Sequence, residues 1–148
     1  MQATLDLVRD LAAADHGLAV AVTLRGDGTP QASVVNAGVL DHPLRKDAVV
    51  AFVARAHTAK LRHLRQRPRA TLVFRAGWEW VSVEGDAQLA GPDDVLEDMD
   101  ANDVRLLLRA VFIAAGGRHD DFEEYDRVMA AERRTAVLIR PERITTNP

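Results

Sequence analysis

The stretch AVVAFVARAHTAKLRHLRQRPRATLVFR, Ala48 to Arg75, decides how this chain is read. It opens on an apolar run, Ala48 to Ala54, with the composition of a buried strand. From Arg55 to Arg75 it holds seven Arg and Lys residues and no Asp or Glu. Thr58 stands where an N-cap belongs, AKLRHLRQ reads as a short helix, and Pro68 closes it before a further strand, Arg69 to Arg75. A strand feeding a purely cationic helix makes a compact anion-binding surface. Clustered cations, hydroxyls and backbone donors match the charge and geometry of a phosphate.

Lys60 marks the centre of that surface. The chain has only two lysines, Lys46 and Lys60, against seventeen arginines. Lysine supplies a compact, flexible point charge where arginine supplies a planar fork. Alternation along the strand sets Arg55 on the side of Val53 and Ala51. Thr58 and Lys60 fall in the first helical turn, whose free N–H groups favour an anion. The candidate phosphate site is therefore Arg55, Thr58 and Lys60, with His57 and Ala59 between them; the alternative is a solvated basic helix without a ligand. Arg62, Arg65 and Arg69 either face solvent or pair with acidic residues elsewhere.

Bulk properties bound the rest. With 148 residues and a formal net charge of −3, the chain is sized for one domain, 1–148, with no global field toward nucleic acid or membrane. Asp93 to Glu132 carries twelve acidic residues against four basic ones, so opposite patches meet across an interface or flank a charged ligand. The absence of cysteine excludes disulfides, iron–sulfur clusters and thiolate zinc sites. No apolar run approaches the roughly 18 residues of a membrane span, and the N-terminus carries no signal-peptide pattern. A soluble cytoplasmic protein is expected. His57 and His63 are six apart and cannot share a helix face, and neither HxH nor HExxH occurs, so no metal site is expected. No GxSxG or other nucleophile arrangement occurs either, and no catalytic side chain is assigned.

TLDLVRDLAAAD predicts a first amphipathic helix ending at Gly17. GLAVAVTL and PQASVVNAGVL predict strands joined by the turn Arg25 to Pro30, and the Arg-Gly-Asp within it is read as turn chemistry. The third strand is DAVVAFVA, the fourth Arg69 to Arg75 and the fifth WEWVSVEGDAQLA. Gly91-Pro92-Asp93-Asp94 is expected to open an acidic helix, Gly116-Gly117 to break it, and DDFEEYDRVMAAE to form another. The pairs Asp93-Asp94, Asp120-Asp121 and Glu123-Glu124 are read as helix-capping charges. RTAVLIRPERI predicts a sixth and last strand. Antiparallel strands on short turns, with helices inserted late, imply a mainly β fold: a small barrel with peripheral helices. On the fifth strand Trp78, Trp80, Ser82 and Glu84 share one face, with Val81 and Val83 on the other. The valines belong inside, and the indoles cover a dimer interface or a cofactor groove.

The order of these parts resembles the split β-barrel flavin and deazaflavin proteins, the pyridoxamine 5′-phosphate oxidase-like superfamily, and within it the branch using coenzyme F420. The residues that carry the likeness are RGDGTPQASVV and the pattern from Thr58 to Ala70 centred on Lys60-x-x-x-Leu64-Arg65-x-x-Pro68-Arg69. With them go Trp80 to Ala87 around Gly85, and the closing Tyr125-Asp126, Arg133-Arg134 and Ile139 to Ile144. His63 stands where relatives commonly have Asn, and Arg67 where they have an acidic residue. The resemblance implies a six-stranded antiparallel split β-barrel, a homodimer, and a cofactor in the groove between protomers. It sets the cofactor phosphate near the third strand and following helix, and the ring along Ser33, Val34, Val35 and Asn36.

The function so implied is an F420-dependent oxidoreductase that passes a hydride to a small organic substrate, with Trp78, Asn36 or Tyr125 lining the site. A polyanionic F420 tail suits an arginine fringe. The alternatives are an FMN-binding oxidase or reductase of the same fold, and a cofactor-binding protein without chemistry. Nucleic-acid binding is not expected, because the chain is net acidic and no aromatics interleave the basic run.

Overall fold

Antiparallel pairing between neighbours in the chain starts the architecture. In the computed structural model, which describes residues 2–148, β1 (Leu18–Leu24) and β2 (Pro30–Asp41) form a hairpin. Its turn is fixed by Asp27, whose Oδ1 accepts from the Thr29 N–H at 3.0 Å and hydroxyl at 2.6 Å. β2 pairs with β3 (Ala48–Ala54), and β1 with β4 (Arg69–Ala76), which turns into β5 (Glu79–Ala90). β6 (Thr135–Ile139) lies between β3 and residues 87–90 of β5, closing a six-stranded antiparallel barrel. A seventh strand, β7 (Arg143–Thr146), pairs with residues 81–84 of β5.

Burial follows the alternation that the sequence shows. Ala19 and Ala21 on β1, Leu72 and Phe74 on β4, and Val81 and Val83 on β5 point into the barrel. Val8, Leu11 and Ala12 of α1 (Leu5–Ala14) and Leu61 and Leu64 of α2 (Ala59–Gln66) enter the same core. A second core lies outside the barrel wall. There Val49 and Ala51 of β3 and Ala136 and Leu138 of β6 meet Leu107, Leu108 and Val111 of α3 (Ala101–Ala114) and Tyr125 of α4 (Phe122–Ala131). β3 is therefore buried on both faces, which explains its unbroken apolar run.

Three expectations are corrected. The last strand is two strands, β6 and β7, because the chain steps over β5 between them. The Arg140 N–H donates to the Asp86 carbonyl at 2.9 Å and the Glu142 N–H to the Glu84 carbonyl at 3.0 Å, straddling Gly85. A Cβ on Gly85 would overlap the Arg140 carbonyl oxygen, so only glycine admits this crossing. The acidic helix begins at Ala101, not near Gly91, because Asp100 and Asp103 form the capping box there. Asp93 and Asp94 cap nothing; they bind Arg133 and Arg65 from a loop. Asp121 does cap α4, accepting from the N–H groups of Glu123 and Glu124.

Gly85→Ala is expected to lower stability by about 1–3 kcal/mol, the usual cost of overpacking. Chemical denaturation checks this, and the loss should coincide with faster amide exchange across β7.

Candidate functional site

β2 and β3 pair from Asp41↔Ala48 only as far as Ala37↔Phe52. Beyond that point Pro30 to Asn36 continue on β1 alone, while β3 runs on through Ala54 into α2. The backbone edge of Ser33 to Asn36 that faces away from β1 is therefore left without a strand partner. Continuing the register across the seam sets Asn36 opposite Val53 and Val34 opposite Arg55. The residues read from sequence as ring and phosphate contacts thus flank one seam.

α2 is fixed at the end of the barrel that carries the β1–β2 turn. Thr23 Oγ1 and His63 Nδ1 lie 2.9 Å apart, and Arg67 Nη2 donates to the Gly26 carbonyl at 3.1 Å. His63 thereby makes a polar tie to β1. The turn from β3 into α2 passes through His57 in the left-handed region (φ 66°), whose carbonyl accepts from Arg62 Nη1 at 3.0 Å. Thr58 takes the N-cap position, but its hydroxyl does not cap the helix. That Oγ1 is shielded from solvent and has no partner among the described residues, an unmet demand of the kind an absent ligand or subunit meets.

Lys60 follows, half-buried, with no hydrogen bond or ion pair to a described residue. Burial, and then the nearby Arg134 guanidinium, hold its ammonium below the ordinary lysine range. An anion beside it relieves both effects. Arg55 Nε lies 3.3 Å from Glu132 Oε2, and Glu132 also takes Arg134 Nη2 at 3.2 Å. The site therefore includes Glu132 and Arg134, which the sequence reading did not name as site residues. They are more than seventy positions beyond Lys60, and no local spacing connects them.

The arginines of the basic run are largely committed within the chain. Arg65 makes a two-pronged contact with Asp94, at 2.8 and 2.7 Å. Arg69 pairs with Glu142, Asp86 and Glu84. The two charge patches meet inside one molecule, and the fringe expected for a polyanionic tail is engaged in folding.

The remaining sequence candidates separate. Val35 is buried in the barrel, so its side chain cannot reach the seam, whereas Val34 is 67% exposed. Asn36 Nδ2 donates to the carbonyls of His16 at 2.7 Å and Ala115 at 3.2 Å, tying β2 to α3. Trp78 lies in the β4–β5 turn, not on the strand, and is 93% exposed. Register puts it beyond Phe74↔Ala19, at the opposite end of β1 from α2. Tyr125 is not a lining residue: its hydroxyl is buried, donates to the Leu108 carbonyl at 3.0 Å, and its ring packs 4.9 Å from Phe112.

A six-stranded barrel opened along one seam, with helices applied to one wall, defines a split-barrel protein. A family model described as pyridoxamine 5′-phosphate oxidase matches residues 6–147, and the chain belongs to that family. Among solved structures it is similar to a conserved hypothetical protein from Mycobacterium tuberculosis, at 19% identity and TM-score 0.66, covering 97% of this chain and 83% of that one. It is also similar to a pyridoxamine 5′-phosphate oxidase-related, FMN-binding protein from Nostoc punctiforme, at 18% identity and TM-score 0.64, covering 95% and 78%. An F420 reductase matches at 15% identity and TM-score 0.56, covering 86% and 88%. Identities this low carry the fold alone.

Burial pushes the Tyr125 hydroxyl up to about 12, against about 10 in an unfolded chain. A raised folded value favours the protonated form. Its contribution is thus complete below pH 10 and is lost as pH rises from 10 through 12. Tyr125→Phe should cost about 1 kcal/mol at neutral pH and flatten part of the alkaline decline, as read from denaturation midpoints between pH 8 and 12.

Proposed function

We propose that this protein binds a phosphate-bearing flavin or deazaflavin at the β2–β3 seam and is an oxidoreductase acting on a small organic substrate. The observation that carries this reading is Lys60: a half-buried ammonium in the first turn of a helix, two positions after Thr58, with neither it nor the Thr58 hydroxyl partnered among the described residues. The donors fit a phosphate, and the open edge of Ser33 to Asn36 offers backbone groups to the polar rim of a planar ring. When bound, such a cofactor supplies hydride chemistry. The chain anchors the phosphate through Lys60, with Arg55, His57, Thr58 and Ala59 around it, and orients the ring along β2.

Coenzyme F420 is the first choice, because the pattern from Lys60 to Arg69 and the closing Arg140-Pro141-Glu142 segment resemble that branch. FMN is the second reading, and one observation favours it. Arg65 and Arg69 are held by Asp94, Glu142 and Asp86, leaving less free positive charge for a polyanionic tail.

A homodimer completes the proposal. Leu18, Val20 and Leu24 on β1 and Val34 on β2 form an exposed apolar row on the outer sheet face, with Val20 and Val34 directly paired. Contiguous exposed apolar surface of this kind marks an interface. Trp78 is remote from Lys60 within one chain, so it joins the site only from a second copy.

Two tests follow. Lys60→Ala should weaken binding of F420 or FMN by roughly 10- to 100-fold, the worth of a hydrogen bond to a charged group. Titration calorimetry reads the affinity, and the thermal midpoint verifies that folding is intact; unchanged affinity would remove Lys60 from the site. Val20→Asp should shift the protein to monomer in sedimentation at micromolar concentration, whereas a persistent dimer would move the interface elsewhere.

A further inference from the structure

Away from the seam, a cavity of about 550 Å³ opens between the loop 91–100, α3 and α4. That volume lies within the ~300–1,000 Å³ of small-molecule sites. Leu96, Met99, Val104, Leu108 and Met129 line it with apolar surface. Val95, also on its wall, is 83% exposed, an apolar side chain that an occupant would cover. The two methionines add adaptable, polarizable contacts.

The charged groups at its wall are asymmetric. Three arginines, Arg105, Arg133 and Arg134, stand against two aspartates, Asp100 and Asp126. Asp126 is fully engaged and Asp100 is engaged through one oxygen. Asp100 accepts from the Asp103 N–H to cap α3, and both Asp126 oxygens accept from Arg105 and Arg109. Arg133 uses Nε and Nη2 on Asp93, and Arg134 uses Nε and Nη2 on Glu132. Each keeps an Nη1 group with no partner among the described residues. Apolar walls bordered by more guanidinium than carboxylate groups, with spare donors on Arg133 and Arg134, suit an anionic head on an apolar body.

We infer that this cavity is a binding site for an amphiphilic carboxylate, an alkyl or aryl acid, with its apolar body against Leu96, Met99 and Met129 and its carboxylate toward Arg133 and Arg134. The inference does not rest on the cofactor assignment, although Arg134 adjoins both this cavity and Lys60.

The experiment uses the full chain and three fluorescent probes of one shape: 2-naphthoate, 2-naphthalenemethanol and 2-naphthylmethylammonium. Naphthoate should bind at least tenfold more tightly than the alcohol, and the ammonium most weakly. Arg133→Gln or Arg134→Gln should bring naphthoate down to the level of the alcohol. Ala130 lies on the exposed side of α4 and lines the cavity, so Ala130→Trp should abolish binding of all three with its thermal midpoint retained. Lys60→Ala should leave naphthoate binding unchanged while weakening cofactor, which separates this site from the phosphate site. Equal affinity for the three probes, no binding of naphthoate, binding that survives Ala130→Trp, or binding lost with Lys60→Ala would each overturn the inference.

Discussion

The end of the β2–β3 pairing at Ala37↔Phe52 is the constraint from which the rest of the site follows. A sheet edge within a closed barrel normally disappears, because each strand is paired on both sides. Here β3 leaves its partner to become the approach to α2, and seven residues of β2 keep an unpaired edge. That departure is held by local chemistry. His57 takes a left-handed backbone, Arg62 captures its carbonyl, and His63 and Arg67 fasten the helix to β1 and its turn. The opening is thus built by side chains that themselves have no need to touch a ligand.

Most of the positive charge in the run Arg55 to Arg75 serves this construction. Arg65 and Arg69 bridge to Asp94 and to Glu142, while Arg55 reaches Glu132 at the end of α4. Such partly exposed pairs contribute modestly to stability, but they define which segments lie against which. Arg62, Arg67 and Arg75 are held by backbone carbonyls, and Lys60 has neither a carboxylate nor a carbonyl partner among the described residues. Charge density along the chain therefore overstates the free cationic surface.

Much of the fold was legible because it rests on period and punctuation. Alternation on β1, β4 and β5, the Asp27-Gly28 turn and Pro68 after α2 are local signals, and each element lies within a few residues of its expected bounds. The failures share a cause. Arg140 to Glu142 read as continuous strand because nothing near them announces that Gly85, fifty-five positions earlier, lets the chain cross. Pro92 and Asp93 carry helix-start chemistry, yet Asp93 and Asp94 are drawn off by Arg133 and Arg65. At the candidate site, the places of Thr58 and Lys60 at the start of α2 were legible from local sequence, whereas Glu132 and Arg134 arrive by tertiary packing. Tyr125 looked like a site residue by likeness alone, and its buried hydroxyl answers to the Leu108 carbonyl.

The loop 91–100 has a bearing on conditions as well as on shape. Two successive carboxylates, Asp93 and Asp94, hold it to the end of α4 on one side and to α2 on the other. It acts as a crossbeam joined by ionic rivets, between a barrel and a helix pair that cohere by apolar contact. Salt screens the rivets far more than it affects the walls. Raising salt is therefore expected to loosen this crossbeam before it loosens the frame on either side.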